Sequence, residues 1–246
     1  ECPHTATRAG PLSVVMKTFW RLIRFSLKWL VLLVLAYQLW IAAHLVMWKW
    51  VNPGESSFMA IRLDELRKQN PKAQLKHEWV DYDQISIHLK RAVVAAEDDR
   101  FMQHHGFDLR GIEYALKKNQ RKGQSVAGGS SITQQLAKNL FLSPSRSYLR
   151  KAEEAFITLM IELLWDKRRI LEVYLNMVEW GNGVFGVQAA AQHYYRSSAA
   201  QIGPSAAARL AVMLPNPRQY EKAMPAWVVR HSSRVQARMR HSQVPQ

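Results

Sequence analysis

The sequence predicts a mostly α-helical domain carried behind a single membrane-spanning helix. Three observations lead there. Between Lys28 and Lys49 the stretch "WLVLLVLAYQLWIAAHLVMW" runs for twenty residues with no formal charge beyond what His44 can carry. Downstream, apolar residues recur at helical spacing, and no sustained period-2 alternation bounded by turn residues is found. Pro71, Gly106, Pro144, Gly181 and Pro215 then cut the remainder into helix-length pieces.

The apolar stretch comes first. At about 1.5 Å per residue, twenty helical residues cover the roughly 30 Å hydrocarbon core of a bilayer. Trp29, Trp48 and Trp50 stand where an aromatic belt belongs. A signal peptide would show a small-residue cleavage site before the next charges, and this segment lacks one. Lys17, Arg21, Arg24 and Lys28 crowd its N-terminal side, which predicts a cytoplasmic N-terminus and a domain across the membrane. The expected division is 1–28 cytoplasmic, 29–48 transmembrane, 49–57 a turn-rich linker ("VNPGESS") and 58–246 the domain. Residues 1–15 precede Met16, which opens a plausible native start, so they are expected to be non-native.

Composition narrows the function. Of 246 residues, 48% are hydrophobic and 22% charged, a globular balance. Lys and Arg total 34 against 19 acids, a formal charge of +15, which suits a polyanion or an anionic membrane surface. A domain beyond the membrane excludes nucleic acid and leaves membrane lipids or a lipid-linked anion as partners. Cys2 is the only cysteine, which excludes an intrachain disulfide and a Cys-based metal cluster.

Helices are predicted over Phe58–Gln69, Ile87–His104, Gly111–Lys118, Ile132–Phe141, Ser147–Trp165, Lys167–Val178, Gly186–Tyr195 and Ser205–Met213. The basic, glycine-bearing segment Leu116–Ser131 reads as a loop beside a site.

Four stretches carry chemical potential. In "VVAAEDDRFMQHHGFD", Val93, Glu97 and Phe101 fall at successive i+4 steps, placing Glu97 on an apolar face. Desolvation there would raise its pKa and suit it to act as a base, with Asp98 and His104 tying the helix end. A salt bridge to a nearby Arg is the plainer alternative. Adjacent His104 and His105 lack the i, i+4 spacing of a helical zinc pair, so no metal site is expected.

In "GGSSITQQLAKNLF", Ser131 and Gln134 have capping-box spacing, after glycines that expose N–H groups to an anion. Gln134 and Lys138 share a face opposite Ile132, Leu136 and Leu140. In "SRSYLRKAEEAF", Arg146 and Arg150 are i, i+4, as are Arg150 and Glu154, a row able to clamp phosphate oxygens. A solvated face with one ion pair would read the same way. "RRILEVYLNMVEWGNGVFG" has glycines but no preceding strand, which rules out a nucleotide loop.

Together these stretches resemble the peptidoglycan glycosyltransferases (transglycosylases) of glycosyltransferase family 51, found alone or before penicillin-binding domains. The motif E-D-x-x-F-x-x-H-x-G matches Glu97, Asp98, Phe101, His104 and Gly106. G-G-S-T-I-T-Q-Q-x-x-K-N matches Gly128–Asn139, with Ser131 for Thr. R-K-x-x-E matches Arg150, Lys151 and Glu154, and I-L-E-x-Y-L-N matches Ile170–Asn176 before Gly181, Gly183 and Gly186. The likeness spans about 58–218; Tyr195-Arg196 replaces its common Phe-Gly. With no penicillin-binding domain after Gln246, the chain looks like a monofunctional biosynthetic member.

That resemblance implies a lysozyme-like α fold and a substrate like lipid II, a disaccharide-pentapeptide on a polyprenyl pyrophosphate, joined to the growing glycan chain. It implies Glu97 as general base and Glu154 as the second catalytic carboxylate. Lys138, Arg146, Arg150, Ser130, Gln134, Gln135 and Asn139 would bind substrate or pyrophosphate. Asp98, Phe101, His104, Gly106, Gly128 and Gly129 would support the site. It further implies no tightly bound cofactor, Mg²⁺ or another divalent cation at the pyrophosphate, penicillin-binding and division proteins as partners, and residence in the bacterial cytoplasmic (inner) membrane with a periplasmic domain. Two rivals remain: a lysozyme-like hydrolase or lytic transglycosylase that uses one Glu as acid, and a non-enzymatic scaffold of wall synthesis. The row Lys138, Arg146 and Arg150 speaks against cleavage, which has no pyrophosphate leaving group.

Overall fold

A computed structural model describes residues 11–123, 129–145 and 147–246, with side chains for all of these but 11–15, 17, 18, 119 and 122. It falls into two units, residues 1–44 and 45–246.

The first unit is one helix. α1 runs Pro11–Met47 without a break, so residue 29 marks no boundary in secondary structure. Its Phe19–Met47 portion has a mean hydropathy of 2.1, long and apolar enough to cross a membrane. Leu33 and Leu39 are 66% and 70% exposed, as for a helix that meets apolar solvent rather than a protein core.

The second unit is helical apart from one small sheet. α2 (Ser57–Gln69) starts on a Ser56 cap. α3 (Ile87–Glu97) is the central element: Leu89, Ala92 and Val93 are fully buried, and it packs chiefly on α9 (Pro204–Ala211). Ala92 meets a helix rich in alanine, Ala207, Ala208 and Ala211, and small side chains let the two backbones approach. α4 covers Leu109–Lys122, and α5 (Ile132–Phe141) packs against both α6 (Tyr148–Leu164) and α7 (Lys167–Met177). α8 (Val187–Tyr195), α10 (Pro217–Lys222) and α11 (Ala226–Arg238) complete the helices, with α11 laid over α9 and reaching α3.

The helical class and most segments follow the sequence reading, and four departures have physical reasons. The helix expected over Ile87–His104 stops at Glu97, because Asp98 leaves helical backbone at φ −160°, ψ 72°. Phe101 then sits in a separate 3-10 turn, so it is buried but is not the next-turn neighbour of Glu97. α4 continues to Lys122 where a loop was expected, ending at Gly123 with φ 63°; residues 124–128 of that segment lie outside the described residues. α10 and α11 were missed. Finally, β1 (Lys76–His77), β2 (Glu179–Gly181) and β3 (Val184–Phe185) form a sheet of order β1-β3-β2. β1 is parallel to β3 and β2 antiparallel. Strands of two or three residues have no period to detect.

Residues 49–57 are not a loose linker. Arg169 donates to Trp48 O (2.9 and 2.8 Å), Val51 O (2.9 Å) and Asn52 Oδ1 (2.9 Å), while Glu172 holds its Nη1 at 2.6 Å. Fully buried Asn176 explains part of the "ILEVYLN" signal. Its Oδ1 accepts from Val80 N and its Nδ2 donates to Val80 O, both at 2.9 Å, stapling the chain before α3 onto α7.

Candidate active site

The site forms where the C-terminal end of α3 meets the N-terminus of α5. Helix α3 ends on Glu97, so its side chain projects from a terminus rather than from a packed helix flank. Gln135 Nε2 donates to Glu97 Oε2 at 2.7 Å, and Tyr174 OH donates to Gln135 Oε1 at 2.8 Å. The chain Tyr174–Gln135–Glu97 therefore fixes the carboxylate from two helices behind it. Glu97 is half-buried and keeps one side on an open cleft of about 170 Å³.

Burial pushes the Glu97 pKa up from the ordinary carboxyl value; Asp98 raises it further, while the Gln135 hydrogen bond and Lys138 oppose the rise. Burial also drives Tyr174 well above its usual value, with the Glu97 and Asp98 charges adding to it, so its hydroxyl stays a donor.

Asp98 does structural work. Its Oδ2 accepts from Ile132 N at 3.0 Å, one of the orphan N–H groups of α5, and its Oδ1 accepts from His104 Nε2 at 2.8 Å. Ser131 and Gln134 form the predicted capping box, at 3.2 and 3.0 Å, and Ser131 Oγ also donates to Gly106 O. Gly106 has φ +84°, and a Cβ there would lie 2.7 Å from Thr158 of α6. A Cβ on Gly129 would press on Ile112 at 3.2 Å. Gly128 lies outside the described residues.

The cations gather on α5 and α6. Arg150 Nη1 donates to Glu154 Oε2 at 2.7 Å, and Lys151 pairs with the other oxygen, Oε1. Glu154 is 3% exposed. Lys151 Nζ also reaches Ser130 Oγ, on the cleft wall, at 3.4 Å. Lys138 has no ion pair among the described residues; its Nζ lies 5.5 Å from the Phe58 ring. Burial lowers its pKa, Glu154 and Glu97 raise it, and Arg150 and Lys151 lower it, which puts all five charges in one electrostatic neighbourhood. Arg146 lies outside the described residues.

The structure thus brings Glu97, Ser130, Gln135, Lys138, Arg150 and Glu154 together but redistributes tasks. Gln134 closes the capping box onto the N-cap Ser131 and is 4% exposed. Asn139 donates to Gln135 O at 2.7 Å within its own helix. Gln135 uses both ends of its amide on Tyr174 and Glu97. Sequence reasoning missed Tyr174, which it placed in a core stripe, and Arg238, whose Nη2 holds Ala95 O at 2.8 Å on the cleft wall. The "Y" of "ILEVYLN" carried the first signal; nothing local marked the second.

A carboxyl poised above its usual range beside a cluster of cations fits proton abstraction next to a departing anion. Over this same region the sequence model of the family described as Transglycosylase matches residues 64–241. The chain belongs to the transglycosylase family. It is 59% identical over 230 residues to a protein of Azoarcus sp. (strain BH72), covering 94% of this chain and 100% of that one. A protein of Dechloromonas aromatica (strain RCB) is 58% identical over 231 residues, covering 94% and 100%. One from Aromatoleum aromaticum is 61% identical over 216 residues, covering 88% and 94%. All three are named biosynthetic peptidoglycan transglycosylase.

Proposed function

We propose that this chain is a peptidoglycan glycosyltransferase that polymerises lipid II into β-1,4-linked glycan. The observation that carries this is the pairing of Glu97, raised by burial and held by Gln135, with Lys138, Arg150 and Lys151. The raised pKa alone would serve an acid as well as a base. The cations favour the base, because cleavage of a glycan makes no pyrophosphate.

In the reaction, Glu97 takes the proton of the acceptor sugar's 4-hydroxyl as that oxygen attacks C1 of the growing chain. The C1–oxygen bond to the pyrophosphate breaks on the opposite face, inverting C1. The departing pyrophosphate carries off the electron pair, and its charge meets Lys138 and the Arg150–Lys151 pair. Glu154 acts through those two cations, which occupy both its oxygens. A divalent ion such as Mg²⁺ would be held largely by pyrophosphate oxygens and water and would add charge stabilisation to the departing anion.

The apolar α1 helix supports a single-pass anchor in the cytoplasmic membrane. Basic residues on its N-terminal flank support a cytoplasmic N-terminus and a catalytic unit on the outer side, where a lipid-linked sugar would be presented. Incubating the purified full chain with lipid II tests the reading. Polymer together with free polyprenyl pyrophosphate is the expected outcome; shortened glycan without polymer would assign the cleaving alternative.

A further inference from the structure

The cleft at Glu97 opens into more space. Asp99 and Arg238 on its wall also border a second hollow, and Met102, His241 and Gln243 of that hollow border a third, of about 620 Å³, beneath the C-terminal segment. This third cavity is basic: Lys90, Arg91, Arg168 and Arg240 line it against one acidic side chain, Asp83, and the terminal carboxylate of Gln246. Asp83 is already held by Arg168 at 2.6 Å. Lys90 is 7% exposed, and its Nζ lies 3.9 Å from the centroid of the Tyr82 ring, which Arg168 also covers at 4.4 Å. Among the described residues neither Lys90 nor Arg91 forms an ion pair, and Arg91 Nε is buried without a hydrogen-bond partner. A buried ammonium without an ion pair and a buried guanidinium N–H without a partner are costly, and an anion in the cavity would relieve that cost.

The spacing says which anion. Lys90 and Glu97 are seven residues apart on α3, hence within about 20° of one face and about 10 Å apart along the axis. A molecule with its reacting hydroxyl at Glu97 reaches Lys90 with a group about 10 Å away. The pyrophosphate has its own cations on α5 and α6, so the group is another anion of the same substrate. We propose that the cavity lined by Lys90, Arg91, Arg168 and Arg240 binds carboxylates of the peptide carried by the disaccharide whose hydroxyl faces Glu97. This rests on the reading that the substrate is a lipid-linked sugar–peptide.

Two measurements on the full chain test it. The first is titration with a free pentapeptide carrying its carboxylates and with the same peptide fully amidated. Wild type should bind the acid form at least about tenfold more tightly, the scale of one or two charge-assisted hydrogen bonds. Lys90→Gln and Arg91→Gln should bind both forms as weakly as wild type binds the amide. Should the buried Lys90→Gln fail to fold, the half-exposed Arg91→Gln carries the test. The second is kinetics with lipid II and with its peptide-free counterpart. The variants should raise KM about tenfold for the first substrate only, with kcat retained. Equal binding of acid and amide by wild type, or an equal KM effect on both substrates, would overturn the proposal. If wild type forms no polymer from either substrate, the enzymatic reading falls, and the peptide titration still decides the cavity.

Discussion

At the scale of single residues, Glu97 combines two properties that pull against each other. Its folded pKa lies above the ordinary 4.5, so between those values the native state holds the extra proton. Stability contributed by this group is therefore present at low pH and lost as pH rises from 4.5 through the folded value. Glu97→Gln keeps the shape and an acceptor for Gln135 Nε2 while removing the charge. The variant should be more stable than wild type at pH 7, and the difference should vanish below pH 4, as read from denaturation midpoints across pH. Tyr174 acts one step back, by orienting Gln135. Tyr174→Phe removes its hydroxyl and should lower kcat about tenfold, with KM little changed and stability down by about 1 kcal/mol. A stability loss with an unchanged kcat would make Tyr174 purely structural. The sequence placed Glu97 on an apolar face through Phe101 one turn on; the structure desolvates it differently, by packing Gln135 and Tyr174 around a helix end. Such a long-range arrangement leaves no mark in local periodicity.

At the scale of elements, the signals that read well were the short-range ones. Ser131 and Gln134 announced the start of α5, and their hydrogen bonds close the box that spacing anticipated. The three strands were illegible because two-residue pairings are made by tertiary contact. The end of α3 was illegible because Asp98 leaves the helix to cap another one, α5, 34 positions away. Arg196 accepts backbone strain. It closes α8 with φ 51° and ψ 38°, a left-handed position that glycine occupies freely. Arg196→Gly should therefore raise stability by about 1 kcal/mol, a shift of roughly 2–4 °C in Tm, without altering turnover. A lower Tm would mean that the Arg196 side chain supplies more than its backbone strain removes.

At the scale of the whole molecule, the long apolar helix and the catalytic unit were legible for different reasons. An uncharged apolar run of this length has few uses, so α1 was plain from composition. The active site needed ordered motifs from four separate stretches, which no single one specified. The tie of Arg169 to residues 48–52 was invisible, because a turn-rich segment reads as free whether or not a guanidinium gathers its carbonyls. On the proposed mechanism one desolvated carboxylate, Glu97, drives glycan polymerisation against a cation-stabilised pyrophosphate. The decisive experiment is polymerisation of lipid II by wild type and Glu97→Gln in matched membranes. Polymer should fall by at least about a thousandfold in a variant that is folded and still binds lipid II. Turnover near that of wild type would rule Glu97 out as the base.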